Sequence, residues 1–295
     1  MITFHTHQRG AALVFALMVS LLLGTLAAFF AHQARSELKQ STDIADAIIA
    51  RQEAKNGLNK TIYGLSNLGH LRVDWPNTQQ SYESIFWGKT FSPEPSLTLK
   101  IKDVGSMLNL VPFKPKEWQA VLQYHGVDEL MAHSITDRIL DWMDDDDLRR
   151  IRGMEKRQYQ YSNLEILPRN NIMQSLEEIK FVPDITKEVY QLIKSEALYW
   201  GVSSRNPLNG SAAMISAYGD DALYEGVLRR RQSNDSVGTL YNQLENIDPT
   251  TVNRVQSNMF LITIKSVQAS ASFHLSVIVN FSGNTTIPFY LTEWQ

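Results

Sequence analysis

The segment DWMDDDDLRRIRGME, residues 141–155, concentrates the side chains best suited to chemistry in this sequence. Five aspartates lie within its first seven positions, and a glutamate closes it. Carboxylates this close repel one another unless water or a cation neutralises them. Hard oxygen ligands in a loop that contains a glycine favour calcium, which takes about 6–8 oxygens. The segment therefore suggests a calcium site.

The same segment offers an alternative without a metal. A solvated acidic helix end would be electrostatically unfavourable by itself, because carboxylates at a helix C-terminus oppose the macrodipole. Arg149, Arg150 and Arg152 follow directly and could neutralise the run. Both interpretations, a calcium site and an arginine-neutralised acidic run, stay open at the level of sequence.

Other signs of catalysis or nucleic-acid binding are weak. The sequence contains no HExxH motif, no glycine-rich phosphate loop and no Ser-His-Asp spacing, and it has no cysteine for a thiolate nucleophile. A formal net charge of −3 is too balanced for a nucleic-acid surface. A hydrolase that uses the aspartates and a metal therefore stays open as one class of function.

An uncharged apolar run near the N-terminus is long enough to anchor the chain in a membrane, so it decides on which side the acidic segment lies. It extends from Ala11 to Ala31 and, as a helix, would span roughly 30 Å, the thickness of a bilayer core. A cleaved secretory signal has a shorter apolar region. Arg9 is the only strong cation before the run, which favours a cytoplasmic N-terminus. We expect a retained single-pass anchor, with the chain from about His32 on the other side.

The remaining sequence predicts an α+β fold. Apolar residues continue at helical spacing after the anchor, so one long helix is expected, with its second half packed on a domain. Residues 97–102, 258–267 and 271–281 alternate as half-buried strands, and 286–294 suggests an edge strand, which together predict an antiparallel sheet. Between the strands lie several helical segments, so a large α-helical domain is expected as an insertion. Within it we expect an apolar helix stripe at Met131, Ile135, Ile139 and Trp142, a capping box at Ser175 and Glu178, and core positions for Trp118, Trp142 and Trp200. The helical apolar stripe after the anchor comprises Leu38, Ile44, Ile48, Leu58, Ile62 and Leu65.

The N-terminus resembles that of type IV pilins and type II secretion pseudopilins. These proteins have a short polar leader that ends in glycine, then an apolar helix with an amphipathic continuation. The resemblance implies that a prepilin peptidase cuts between Gly10 and Ala11. Most of these proteins carry Glu at the fifth mature position, where this chain has Phe15. The missing Glu is a trait of the minor pseudopilin K (GspK) family, which sits at the pilus tip.

Four further segments, in order, resemble the K family. They are IKDVGSMLNL, ILDWMDDDD with GMEKRQYQY, RNPLNGSAAMISAYG and VQSNMFLITIKS. The resemblance implies a pilin-like module interrupted by a helical domain that holds calcium, with Asp141, Asp144, Asp146 and Glu155 as the expected ligands. The expected divisions are a leader at 1–10, a transmembrane segment at 11–31, the first part of the pilin-like module at 32–109, the inserted domain at 110–250 and completing strands at 251–295.

The resemblance also implies a function in protein export. It is that of a minor pseudopilin at the tip of the type II secretion pseudopilus, in the inner membrane with most of the chain periplasmic. The I-type and J-type minor pseudopilins would be its partners, with the major pseudopilin contacted indirectly. The resemblance implies a protein that is not an enzyme. A minor pilin of a type IV pilus is the alternative within the same class of protein, and a membrane-anchored periplasmic hydrolase that uses the aspartates and a metal is the alternative from another class.

Overall fold

The fold consists of one long helix, an antiparallel sheet and a group of shorter helices between two strands of that sheet. The structure is a computed structural model that describes residues 9–66, 86–202, 206–219, 221–233, 257–282 and 286–294. The helices are α1 (Arg9–Ser66), α2 (Pro115–Tyr124), α3 (Glu129–Met143), α4 (Lys156–Tyr161), α5 (Lys187–Glu196), α6 (Ala212–Ser216) and α7 (Asp221–Ser233). The strands are β1 (Trp87–Glu94), β2 (Leu97–Asp103), β3 (Leu108–Val111), β4 (Ala197–Trp200), β5 (Met259–Gln268), β6 (Ala271–Phe281) and β7 (Phe289–Trp294).

Helix α1 is continuous through the predicted anchor and its amphipathic extension. Its C-terminal part packs on the sheet through Leu58, Ile62 and Leu65, which are buried as predicted. The packing does not begin as early as the sequence stripe suggested, since Leu38 and Ile44 are exposed, as is Ile48. The first buried residue of the helix is Ala50. The helix therefore projects from the sheet for most of its length before its apolar face is covered.

The main sheet has the order β1-β2-β5-β6-β7, and all of its pairings are antiparallel. Strand β2 buries alternate residues, Leu97, Leu99 and Ile101, against α1 and the other strands. Strands β5 and β6, which alternate as the sequence predicts, form a hairpin, and β7 lies at the predicted edge. The α+β class, with a long N-terminal helix and an antiparallel sheet, is therefore confirmed.

The helical group has its own apolar core. Ile135, Ile139 and Trp142 form the buried face of α3, as their spacing predicts, whereas Met131 at the start of the same stripe is partly exposed. Trp118 of α2 is also fully buried in this core. Since this core is separate from the one between α1 and the sheet, the helical group is a distinct unit of packing.

Two local expectations differ from the structure, and one strand pairing was not expected. Ser175 precedes a 3-10 helix and makes no side-chain cap, because Glu178 instead pairs with Arg169 and accepts from the backbone of Gln174. Trp200, predicted to be in the core, is exposed at the end of β4. Strands β3 and β4 form a separate parallel pair that the sequence did not indicate.

The inserted segment lies between two strands that are neighbours in the sheet. Strands β2 and β5 are neighbours, although Asp103 at the end of one and Met259 at the start of the other lie far apart in sequence. The predicted limits of the inserted domain, 110 and 250, both fall between these strand ends, and position 250 lies outside the described residues. Those limits stay predictions.

Candidate functional site

Two helix ends and the turn between them build the acidic site. Helix α3 ends at Met143, with the N–H of Asp144 bonded to the carbonyl of Leu140, so Asp141 lies in its last turn. Glu155 occupies the N-cap of α4, where its backbone N–H donates to the side chain of Gln158 at 2.9 Å. The chain must turn back between the two helices, which brings the three carboxylates together.

Asp141, Asp144 and Glu155 form a compact group of carboxylates. Each offers an oxygen within 4.8 Å of the others. Asp141 and Glu155 are buried, at 0% and 2% exposed, while Asp144 is partly exposed. Neither carboxylate oxygen of Glu155 has a hydrogen-bond partner. A buried carboxylate without a donor is costly, so this group has unused capacity to bind a cation.

Arg150 already neutralises part of this group. Its Nη1 lies 2.6 Å from Oδ1 of Asp141 and also donates to Oδ2 of Asp144. Its backbone N–H donates to Oδ2 of Asp141 at 3.2 Å. The close approach of the turn needs Gly153, because a Cβ there would lie 1.8 Å from Oδ2 of Asp141. Of the three arginines that the sequence offered as counter-charges, Arg150 therefore pairs with the acidic group.

The electrostatics of the site follow from burial and like charge. Burial raises the pKa of Glu155 to about 7, and the charges of Asp141 and Asp144 add to that shift. Burial also raises the pKa of Asp141, while the hydrogen bonds and charge of Arg150 act in the opposite direction. A cation that entered the group would relieve both effects.

Asp146, the fourth expected ligand, lies outside this group. Its Oδ1 accepts from the backbone N–H of Leu148 at 2.7 Å, which stabilises a local turn. Asp147 beside it accepts from Asn170. Asp141, Asp144 and Glu155 thus fit a cation such as calcium in type, burial and spacing, but Arg150 holds an oxygen of the first two. Calcium binding stays a prediction.

A second buried carboxylate lies at the base of the inserted domain. Asp103, at the end of β2, is 0% exposed and accepts from the backbone N–H of Gly105 at 2.9 Å. It also accepts from the backbone N–H of Ser257 at 3.0 Å and from the hydroxyl of Ser257. The side-chain amides of Asn206 and Asn209 donate to its Oδ2 at 3.3 and 3.1 Å. One carboxylate therefore joins both ends of the insertion to a turn within it.

This junction was missed as a site by sequence reasoning, although its residues were quoted. Asp103 and Gly105 lie in IKDVGSMLNL, Asn206 and Asn209 in RNPLNGSAAMISAYG, and Ser257 in VQSNMFLITIKS. Burial raises the pKa of Asp103, and the donors from Ser257, Asn209 and Gly105 act against that rise. Since all of these donors point at its oxygens, the junction is structural.

Helix α1 supplies the third functional feature, an uncovered apolar surface. Among the described residues, the helix from Ala12 to Ser66 is long and apolar enough to cross a membrane, and its apolar stretch has no protein contacts over it. Phe15 is 70% exposed on this surface. Gly10 lies in the first turn of the helix, whereas most of the predicted leader lies outside the described residues.

One group of residues has the residue types of a serine-hydrolase triad but not its arrangement, whereas the hydrolase alternative of the sequence analysis would use the acidic group and a metal. Ser211, Glu196 and His125 lie together, with the hydroxyl donating to Glu196 at 2.7 Å and Nε2 of His125 3.5 Å from the same carboxylate. A serine nucleophile needs its proton accepted by the imidazole. Here the carboxylate lies between the two, and Ser211 instead caps α6 by accepting from Met214.

Comparisons with known proteins point to one family. The family described as "Type II secretion system (T2SS), protein K" matches residues 105–196. A protein of Klebsiella pneumoniae named type II secretion system protein K is 22% identical over 94% of this chain and 94% of its own length. The crystal structure of a GspK-GspI-GspJ complex from enterotoxigenic Escherichia coli contains a chain of similar fold. Its TM-score is 0.52 at 15% identity, over 83% of this chain and 96% of that one.

The matched residues 105–196 include the acidic group and begin within the Asp103 junction. The relative from Klebsiella extends the similarity to nearly the whole chain, including the helix before the sheet. These findings confirm the resemblance to the type II secretion system protein K family that the sequence motifs indicated.

Proposed function

We propose that this chain is a minor pseudopilin that caps the tip of a type II secretion pseudopilus. In that position it would initiate assembly of the filament and so help export across the outer membrane. The family match and the pilin-like arrangement of α1 with the sheet support this proposal. The work required is association between proteins, for which the chain offers surfaces, rather than turnover of a substrate.

The observation that carries the proposal is the junction at Asp103. It ties the inserted domain to the sheet at both ends of the insertion, through Gly105 on one side and Ser257 on the other. A cap that the growing filament pushes from below must transmit force without swinging loose. A buried carboxylate with several donors resists such motion, because each lost bond leaves a buried polar group unsatisfied.

The exposed apolar helix supports a place in the inner membrane before assembly. We infer that Gly10 and Ala11 mark the cut of a prepilin peptidase on the cytoplasmic side, with Arg9 favouring that orientation. After assembly, the same apolar surface would pack against the helices of other pseudopilins. The exposed side chains from Leu13 to Phe30 provide this surface.

Phe15 favours the tip over a position within the filament. A carboxylate in lipid is costly and is kept only where it has a partner. In the related pilins, the partner of the fifth-position Glu is the amino terminus of the neighbouring subunit. A subunit that is placed first has no need of that pair, and Phe15 instead adds apolar surface. The I-type and J-type pseudopilins are the proposed neighbours, because the solved structure of similar fold is a GspK-GspI-GspJ complex.

The test is the intact mass of the full chain after co-expression with a prepilin peptidase. We expect residues 1–10 to be lost and Ala11 to become the N-terminus. A Gly10→Leu variant is the control and should stay uncut. Full-length mass for the wild-type chain, or a cut near Ala31, would refute the pseudopilin role. If the cut occurs, a second experiment distinguishes the tip from the shaft. A tip subunit should co-purify with I-type and J-type pseudopilins and should not bind the major pseudopilin when these are absent.

A further inference from the structure

The turn at residues 148–153 carries a positive charge directly into the acidic group. Nη1 of Arg150 contacts Asp141 at 2.6 Å and donates to Asp144 from the same nitrogen. Asp141 is fully buried, so an ionised carboxylate there needs a counter-charge close by. Of the described cations, Arg150 is the one that forms an ion pair with this group.

Arg150 pairs with two of the three carboxylates that a metal ion would share. The guanidinium holds Oδ1 of Asp141 and Oδ2 of Asp144, while Oδ1 of Asp144 has no hydrogen-bond partner. A calcium ion placed among the three carboxylates would lie close to the guanidinium, and the two positive charges would repel each other. The fit of the group to a metal is therefore conditional on where Arg150 lies.

The backbone around Arg150 holds its side chain in this position. The N–H of Arg150 donates to Asp141, and the N–H of Arg152 donates to Asp137 at 3.1 Å. Nε of Arg138 donates back to the carbonyl of Arg152 at 3.4 Å. Helix α3 thus fixes the turn at Arg150 and at Arg152, so the guanidinium reaches the carboxylates with little further ordering.

We propose that Arg150 is the resident counter-cation of the Asp141–Asp144–Glu155 group, so that a divalent cation enters only by displacing its guanidinium. Beyond the contacts of Arg150, a divalent ion would gain the partner-free oxygens of Glu155 and Oδ1 of Asp144. A divalent ion can therefore replace the guanidinium, but the contacts of Arg150 oppose this replacement. The fold of this turn does not depend on a metal. The inference does not rest on the tip function.

The test measures calcium affinity in the full chain, in detergent micelles, by competition with Tb³⁺. Trp142 and Tyr159, whose ring centroids are 5.8 Å apart, flank the group and can sensitise Tb³⁺ emission. We expect Arg150→Gln to lower the half-saturating calcium concentration by about tenfold or more, which corresponds to about 1.4 kcal/mol. The thermal midpoint of this variant should fall in EDTA and recover with calcium, whereas that of the wild type should change little.

Arg149→Gln is the matched control. It removes the same charge from the adjacent, exposed position, so it reports the general electrostatic effect alone. We expect its calcium affinity to stay within about threefold of the wild type. Equal affinities for Arg150→Gln and the wild type would overturn the proposal, as would a wild-type midpoint that collapses in EDTA.

A second variant decides the question if Arg150→Gln does not fold with or without calcium. Arg150→Lys keeps the charge but loses the planar fork of donors. Its half-saturating calcium concentration should lie below that of the wild type. A value equal to that of the wild type would overturn the proposal, because the guanidinium would then have no special hold on the carboxylates.

Discussion

Replacing Asp103 by Asn should loosen the inserted domain, because it changes one oxygen to an amide group in a pocket of donors. The backbone N–H of Gly105 cannot reorient, and neither can that of Ser257. The Asn oxygen should therefore take the place of Oδ1, which faces both. Its NH₂ group then takes the place of Oδ2 and faces the side-chain amides of Asn206 and Asn209.

The expected cost follows from this arrangement. The N–H of Ser257 contacts both carboxylate oxygens, at 3.2 and 3.0 Å, so it keeps an acceptor. The amides of Asn206 and Asn209 lose theirs, or must flip and lose contacts elsewhere. An unsatisfied buried donor costs about 1–3 kcal/mol. Two of them, partly relieved by flipping, should lower the free energy of unfolding by roughly 2–4 kcal/mol.

Urea denaturation of the full chain in micelles, with hydrogen exchange read by mass spectrometry, would measure this effect. Peptides that contain Gly105 and Ser257 should lose protection together, since both belong to one junction. Asp128→Asn is the matched control. Asp128 caps α3 at an exposed site, where Asn is about as good a cap, so its cost should be under about 0.5 kcal/mol. If Asp103→Asn costs no more than this control, the junction does not hold the domain.

Three other changes test separate parts of the structure. Gly153→Ala places a Cβ 1.8 Å from Asp141 and should lower the free energy of unfolding by roughly 1–3 kcal/mol, and an unchanged urea midpoint would contradict this close approach. The pKa of Glu155 is about 7 in the folded chain and 4.5 ordinarily, so the folded state binds the proton more tightly than the unfolded state. The free energy of unfolding in EDTA should therefore fall as the pH rises between these two values. Glu155→Gln, which cannot ionise, should flatten that fall in thermal midpoints between pH 5 and 8, and a slope equal to that of the wild type would refute it. Arg231→Met leaves two backbone carbonyls without the donors that reach them at 2.7 and 2.8 Å, so thermal or urea unfolding should show a loss of roughly 2–3 kcal/mol, with exposed Arg229→Met as the unaffected control.

Local patterns were sufficient to predict most of the elements. The alternation of Leu97, Leu99 and Ile101 identified β2, and the spacing of Ile135 and Ile139 identified the buried face of α3. These patterns are readable because each element buries one face, and the period of the pattern is that of the backbone. The long N-terminal helix was equally clear from its uncharged run.

Features that depend on distant partners were not predictable in the same way. Ile44 and Ile48 continue the apolar stripe of α1, but no part of the described chain covers them. In the proposed filament, a neighbouring subunit would cover this surface, so a single sequence cannot distinguish it from an internal core face. The pairing of β3 with β4 likewise joins segments whose partners are set by the whole domain.

The acidic group shows where sequence reasoning had to stop. Composition left either calcium or arginines as the counter-charge of the cluster, and the family resemblance implied four ligands, Asp141, Asp144, Asp146 and Glu155. The structure brings three of them together and turns Asp146 to its own loop. Which arginine enters depends on the path of the turn, and that path is fixed by the small size of Gly153. Only the folded backbone could select Arg150 from three equivalent candidates.

The motifs that carried the family resemblance divide between two buried carboxylates. Three of them, far apart in sequence, supply the donors and the acceptor of the Asp103 junction, and the fourth supplies the group around Asp141. The Asp103 junction attaches the inserted domain to the sheet, and the group around Asp141 stabilises the acidic turn within that domain. The junction depends on polar groups from distant segments, and the acidic group depends on polar groups within one turn between two helices. In both places the loss of one partner leaves a buried polar group unsatisfied, so the residues cannot be exchanged singly for apolar ones. The resemblance was therefore visible as short polar motifs rather than as a continuous match, even at 22% identity to a relative of similar length.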